Sequence, residues 1–467
     1  MFTKIKYFIR IPNRKMAARQ SQQLPLDKDQ KKALSLVSKG ENLFVTGKAG
    51  TGKTYLLREI TRMYTGKKVV AVLAPTGVAA KNADGFTMHS FLRLPLKSYL
   101  PEHKVKPDLY QLSETGAETL RSIDIIIIDE ISMVRCDMLD AADAILQHYR
   151  NNVKPFGGVQ LVMFGDLYQL CPVADNEDKK VLKGGYNSNQ FYFLISQALH
   201  KLSYHVVELK EIHRQDNRDF INLLNQVRIG EINVEYVSML DNRVDKKRKP
   251  CPTDSILTLM THNYQTRKRN KDMYGMLMTK EHTYTASIVN ITDRWYEKYP
   301  VDYHLKLKVG SRVMFQRNDK ENGIVNGTMG WVRRLTDDEI TVEVDDGARI
   351  KVDKAVWQQY DYFVDKQTKT IYATVSAEYH QYPVKLAWAV SIHKSQGLTL
   401  KEVNIDASKA FAFGQVYVAL SRCATLEGIH LLERIPSHKI IADEVVIRYM
   451  DSIDDDGYVG FNEKDEE

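Results

Sequence analysis

The chain has 467 residues, 43% of them hydrophobic, with 66 basic and 59 acidic side chains and a net charge of +7. That length exceeds one ordinary core and predicts two to four domains. No apolar run approaches the ~20 residues of a membrane-crossing helix, and Cys136, Cys171, Cys251 and Cys423 form no CxxC pair, which argues against a cysteine zinc site and a disulfide scaffold and leads to the expectation of a reducing compartment.

Residues 1–23 read as a basic leader, expected to be disordered, because the first 26 residues hold six Lys or Arg and no acid. The last 17 residues hold eight acids and one lysine, so residues 446–467 are expected to be a disordered acidic tail; without those 17 the body carries +14. A basic body fits a polyanionic partner, and equally a plain solvated surface.

Gln30, in "LPLDKDQKKAL", can read an adenine edge or be an ordinary exposed glutamine. "NLFVTG" then runs as an apolar strand into Gly47-Lys48-Ala49-Gly50-Thr51-Gly52-Lys53-Thr54, a GxxxxGK[ST] loop opening a helix. Its glycines let backbone N–H groups point at phosphate oxygens beside a helix N-terminus. Lys53 is placed to neutralise the β- and γ-phosphates, and the Thr54 hydroxyl to ligate Mg²⁺. "VVAVLAPTG" is the next strand, followed by an irregular basic lobe over 92–116. "IDIIIIDE" ends in Asp129, which orients Mg²⁺, and Glu130, which deprotonates the attacking water. Met138, Leu139, Ala142, Ile145, Leu146 and Tyr149 trace one face of an amphipathic helix. "VQLVMFGDLYQLCPV" supplies Gln169 as a γ-phosphate sensor, with Asp166 capping the turn. Near-continuous apolar runs of this kind are buried on both faces, so the half is doubly wound α/β, with ligands beyond the strands' carboxyl ends.

Arg214 follows in "EIHRQ", and Arg422 in "YVALSRC"; each is either an arginine finger on the γ-phosphate or an ordinary surface ion pair. "SILTLMTHN", "VKLAWAVSIHKSQG", "EVNID" and "GIHLLERI" build a second α/β unit, interrupted over 296–380 by short alternating strands with Gly and Asp-Gly turns, the pattern of a small inserted barrel.

In order, these segments resemble a superfamily 1 helicase. "APTGVAAKNADGFTMHSF" matches motifs Ia and Ib, "LAWAVSIHKSQGLTL" motif V and "GQVYVALSR" motif VI, while "DMLDAADAILQHYRNNVKPFGGVQLVMFGDLYQLCPV" is similar to the signature element of the PIF-type (petite integration frequency) DNA helicases. The resemblance covers about residues 24–440, with Cys171 where the family more often has Pro and His213 where it more often has an aromatic residue. It implies two RecA-like doubly wound parallel-sheet domains: 1A over 24–91 and 117–200, and 2A over 201–295 and 381–445. It also implies an accessory lobe, 1B, over 92–116 and an SH3-like β-barrel, 2B, inserted over 296–380. ATP with Mg²⁺ is implied between the RecA-like domains, driving 5′-to-3′ movement on single-stranded DNA, forks or structured DNA. Matching positions imply strand contacts from Pro75, Thr76 and Gly77, from His89 and Ser90, from Thr261, His262 and Asn263, and from His393, Lys394 and Ser395. Gln396 and Gly397 are implied to link the strand-binding loop to the γ-phosphate. No membrane partner is expected, and without DNA a monomer is expected. The expected compartment is the cytoplasm with its nucleoid in a prokaryote, or nucleus or mitochondrion in a eukaryote. An ATP-gated nucleic-acid clamp shares the same site and is the alternative; a small-molecule kinase leaves the second unit unexplained.

Overall fold

A computed structural model describes residues 8–9, 25–48, 50–95, 98–101, 112–172, 174–211, 217–245, 248, 251–290, 299–319, 321–324, 326–396, 398–453 and 456–460. The chain divides into two units, the first comprising residues 1–216, 360–374 and 442–467, the second residues 217–359 and 375–441.

In the first unit the four apolar runs become strands Leu43–Gly47, Val70–Ala74, Ile125–Ile128 and Gln160–Phe164. They lie in a seven-stranded sheet ordered Tyr458–Val459, Tyr204–Leu209, Leu43–Gly47, Gln160–Phe164, Ile125–Ile128, Val70–Ala74, Phe86–Thr87, parallel throughout except at Tyr458–Val459. Alternation along the strands divides the core. Leu43, Val45, Ile125, Ile127 and Val162 pack with Ala33, Val37, Leu56, Leu57 and Ile60 of helices Lys28–Ser38 and Lys53–Tyr64. Phe44, Ile126, Ile128, Leu161 and Met163 pack on the other face with Leu139, Ala142, Ile145 and Leu146 of helix Cys136–Arg150. The doubly wound reading therefore holds for this unit.

The structure corrects three expected boundaries, two of them in this unit. The resemblance places the start of the second RecA-like domain at 201, but Tyr204–Leu209 pairs parallel with Leu43–Gly47 in the first sheet. The tail expected to be disordered from 446 begins inside helix Glu444–Asp451, and Tyr458–Val459 adds an edge strand. Val446, Tyr449, Met450 and Ile453 recur at helical spacing and pack on the first core; the acid count of the segment masked this apolar stripe.

The signature element is a backbone device. Phe156, Gly157 and Gly158 have φ of 53°, 60° and 74°, three successive left-handed residues. Phe156 N–H donates to Asp143 Oδ1 at 2.5 Å, and Arg150 Nε donates to Gly157 O at 2.9 Å. Arg150 Nη1 reaches the carbonyls of Leu120, Arg121 and Ile123, so one side chain ties the turn to the end of helix Glu114–Ser122. A Cβ at Gly157 would lie 2.8 Å from Leu146 O and 2.7 Å from Arg150 Cδ. Gly157→Ala is expected to destabilise the protein by about 1–3 kcal/mol through the strained φ and the clash, read as a lowered midpoint in thermal unfolding.

The second unit holds a parallel sheet ordered Ala389–Ser391, Thr258–Met260, Val403–Asp406, Ile429–Leu431. A five-stranded antiparallel sheet interrupts it, ordered Arg349–Val352, Ile340–Val344, Met329–Leu335, Arg312–Phe315, Val384–Leu386. Antiparallel pairing starts earlier than position 296, at Glu281–Thr285 with His304–Lys308. The strands Ala355–Asp365 and Thr370–Gln381 form a long hairpin whose outer residues belong to the first unit.

Candidate functional site

Register gathers the chemistry of the first unit at one sheet edge. Val45 is level with Phe164, and Met163 with Ile128, so Gly47, Gly165–Asp166 and Asp129–Glu130 leave the sheet side by side. Gly47, at φ 151°, has no room for a side chain: a Cβ would lie 2.7 Å from Leu209 O and 2.8 Å from Thr51 Oγ1. Gly52 is left-handed at φ 83° and precedes helix Lys53–Tyr64, whose N-terminus has no side-chain cap; its first amides are thus suited to phosphate oxygens. Lys53 Nζ donates to Gly47 O at 2.6 Å and to Lys48 O at 3.0 Å, and buried Thr51 donates to Lys48 O at 2.9 Å. The ammonium group thus bridges the mouth of the loop. Gly50 shares the left-handed geometry, Thr54 is half-buried on the first helical turn, and Ala49 lies outside the described residues.

Asp129 is buried, and its carboxyl is pushed up to about 7, first by burial and next by the Glu130 carboxylate; Lys53 and Arg58 offset part of this. Glu130 has φ 53°, a left-handed turn costly for a side-chain-bearing residue, and its N–H donates to Asp129 Oδ1 at 3.0 Å. A raised folded pKa means stability present at low pH and lost as pH rises through about 7. Asp129→Asn is therefore expected to stabilise the nucleotide-free, metal-free protein at pH 8 by on the order of 2–4 kcal/mol, an advantage that vanishes toward pH 4 in thermal unfolding scans.

Beside the acidic pair, Gln169 is buried; its Nε2 donates to Asp166 Oδ2 at 3.4 Å and its N–H to Asp166 O at 3.0 Å. A Cβ at Gly165 would meet Ser132 N at 3.1 Å, so this glycine permits the two turns to touch. Among the described residues the Thr46 and Ser132 hydroxyls are buried without a hydrogen-bond partner; a lone Ser or Thr beside a strand end carries no signal in the sequence. Gln30 completes a capping box: its N–H donates to Asp27 Oδ1 at 2.8 Å, and its Oε1 accepts from Asp27 N–H at 3.3 Å. The donor set fits Mg²⁺: one hydroxyl and one buried carboxylate, the rest left to phosphates and water. Among the described residues no group of three or more His, Cys, Asp or Glu gathers to hold another metal.

The expected strand contacts divide by unit. In the first, Pro75, Thr76 and Gly77 follow strand Val70–Ala74, where Thr76 Oγ1 accepts from Ala79 N–H at 3.2 Å and Gly77 is exposed. His89 and Ser90 lie on helix Met88–Leu92, and the Ser90 hydroxyl is 3.0 Å from Tyr362 OH of the hairpin tip. Tyr362 packs edge-on to Phe86 at 4.8 Å and tilted to Phe91 at 5.1 Å, a partner no local motif announces.

In the second unit Ser391, Met260 and Asp406 are level, so Thr261–Asn263 and Ile392–Ser395 leave the sheet at one edge. His262 and Lys394 remain accessible there, while burial lowers the His393 pKa and keeps its ring neutral at neutral pH. Lys385 is pushed down to about 8 by burial and by neighbouring Lys394, a repulsion that an anion would relieve. Ser395 is a correction: wholly buried, it donates to Ile392 O at 2.7 Å and shapes the turn instead of facing a strand. Thr261 is buried too, its hydroxyl 2.8 Å from His262 Nδ1. Arg422 is buried, with Nε donating to Val418 O at 3.0 Å and Nη2 to Ser421 Oγ at 2.9 Å. Arg422 is therefore not an exposed surface side chain. Gln396 is buried; Gly397 and Arg214 lie outside the described residues.

A family model described as PIF1-like helicase matches residues 25–237. The ATP-dependent DNA helicase Pif1 of Psychrobacter sp. is 34% identical over 86% of this chain and 67% of its own length. The Bdellovibrio bacteriovorus helicase of that name is 30% identical, over 91% of this chain and 92% of its own. The chain spans 63% of the length of the Danio rerio relative. Bacteroides sp Pif1 with ADP-AlF4 matches at a TM-score of 0.79 and 37% identity, covering 94% of this chain and 99% of that one. The same Bacteroides helicase with ADP-AlF3 and ssDNA matches at 0.72 and 37%, with the same coverage. With these likenesses spanning nearly all of a chain that carries the loop, the acidic pair and the glycine turn in order, the protein belongs to the PIF1-like helicase family.

Proposed function

We propose that the protein is an ATP-dependent DNA helicase that moves 5′ to 3′ along single-stranded DNA and unwinds duplex or structured DNA. The observation that carries this reading is the shared sheet edge, where Lys53, the Asp129–Glu130 pair and Gln169 converge. Bound Mg²⁺ supplies charge neutralisation between phosphates, and Thr54 and Asp129 would hold it. Lys53 exchanges its two carbonyl partners for phosphate oxygens. Glu130 accepts a proton from the attacking water, Gln169 orients on the γ-phosphate, and Gln30 presents its amide to the adenine edge. In this reading Arg214, Arg422, Gln396 and Gly397 keep the roles that the resemblance implies for them. Pro75–Gly77, His89–Ser90, His262–Asn263 and His393–Lys394 hold the strand, backbone contacts positioning it without reading sequence.

The antiparallel insertion is an SH3-like module in this reading; of the expected lobe 1B, residues 96–97 and 102–111 lie outside the described residues. The protein is a monomer without DNA in this reading; a solved Pif1 relative, 36% identical, unwinds forked dsDNA as two coordinating helicases. The test is the ATPase rate against single-strand length. A motor's rate rises with length before it saturates, whereas a rate independent of length marks a clamp and contradicts the proposal.

A further inference from the structure

Aromatic rings line the carboxyl edge of the second unit's parallel sheet. His262 lies 4.5 Å from Phe411 and 5.3 Å from Tyr264, centroid to centroid, and His393 stacks with Phe411 at 6.5 Å. Phe411 is 57% exposed and Tyr264 56%, among the few large apolar side chains left open to water. A buried amide fixes the row: Gln415 Oε1 accepts from Phe411 N–H at 3.0 Å and its Nε2 donates to Thr261 O at 3.0 Å. The row is therefore held by the loops that carry it, and Phe411 and Tyr264 stay more than half exposed.

Tyr264 also begins a second feature. Helix Asn263–Gly275 buries one residue, Met273, and is pinned by Asn270, which exchanges two hydrogen bonds of 2.9 Å with Ala389. Tyr264, Arg267, Lys268 and Lys271, at i, i+3, i+4 and i+7, are all exposed on one face. A merely solvated helix face favours mixed charge; here one aromatic ring is followed by three cations.

We propose that this row and stripe form one track for single-stranded DNA, with bases stacked on Phe411 and Tyr264 and phosphates along Arg267, Lys268 and Lys271. The occupant follows from complementarity: stacking faces accept any base, and the cations match a phosphate backbone. The track is continuous with His262 and His393 of the proposed strand site, and it rests on that reading. It extends the footprint along the basic helix and gives Phe411 a role that no motif assigns.

Fluorescence anisotropy with oligothymidylates of about 6 and about 20 nucleotides tests it. Phe411→Ala is expected to weaken binding of both by about tenfold. The triple variant Arg267→Gln, Lys268→Gln, Lys271→Gln is expected to weaken only the longer oligomer and to reduce its salt slope by about 2. Unchanged affinity and slope on the long oligomer, or weakening on duplex DNA alone, overturns the track. If the wild-type protein binds neither oligomer, the reading beneath the inference fails; wild-type binding with unaltered variants removes the inference alone.

Discussion

Lys53→Ala is expected to lower DNA-stimulated ATP turnover by about 10²–10³-fold, the effect of deleting one preorganised charge at a developing anion. Two losses combine. With nucleotide bound, the β/γ-phosphate oxygens lose their cation. Without nucleotide, the carbonyls of Gly47 and Lys48 lose the donor that spans the loop at 2.6 and 3.0 Å. Nucleotide affinity is therefore expected to fall together with turnover, because the loop must organise without its internal bridge. Steady-state phosphate release and titration with a fluorescent ATP analogue read the two separately. Turnover within tenfold of wild type would show that Lys53 does not face the phosphates.

Glu130→Gln is expected to divide these quantities: ATP binding persists while turnover falls about 10²–10⁴-fold, the usual worth of a positioned general base. The substitution keeps size and hydrogen-bonding capacity, so the left-handed backbone at φ 53° and the N–H donated to Asp129 are retained. It also removes the like charge that helps push Asp129 up to about 7. Asp129 therefore ionises more readily, and metal-dependent nucleotide binding is expected to hold or tighten. Normal hydrolysis by this variant would place the water activator elsewhere.

What was legible in the sequence was whatever backbone geometry forces on residue type. Gly47 and Gly52 are where a Cβ collides or a left-handed φ is needed, and the apolar strands must end where polar residues start. The first sheet's parallel core followed from runs such as Ile125–Ile128. Less legible were features decided by tertiary packing. Tyr204–Leu209 resembles the opening of a new domain because the edge it joins is 162 residues away in sequence. The stripe from Val446 to Ile453 was hidden beneath a count of acids. Ser395 matches a motif position, yet its hydroxyl is spent inside a tight turn. Phe411 stands in a loop without periodicity and carries no signal in the sequence, whereas the face through Tyr264, Arg267, Lys268 and Lys271 is readable from helical spacing.

The central claim is that hydrolysis at the Lys53–Glu130 edge drives directed travel along one strand. Its most direct measurement is displacement of a labelled strand from duplexes bearing either a 5′ or a 3′ single-stranded tail, with and without ATP. The account predicts displacement only from the 5′-tailed duplex and only with ATP. Equal displacement from both tails, or displacement without ATP, would contradict it.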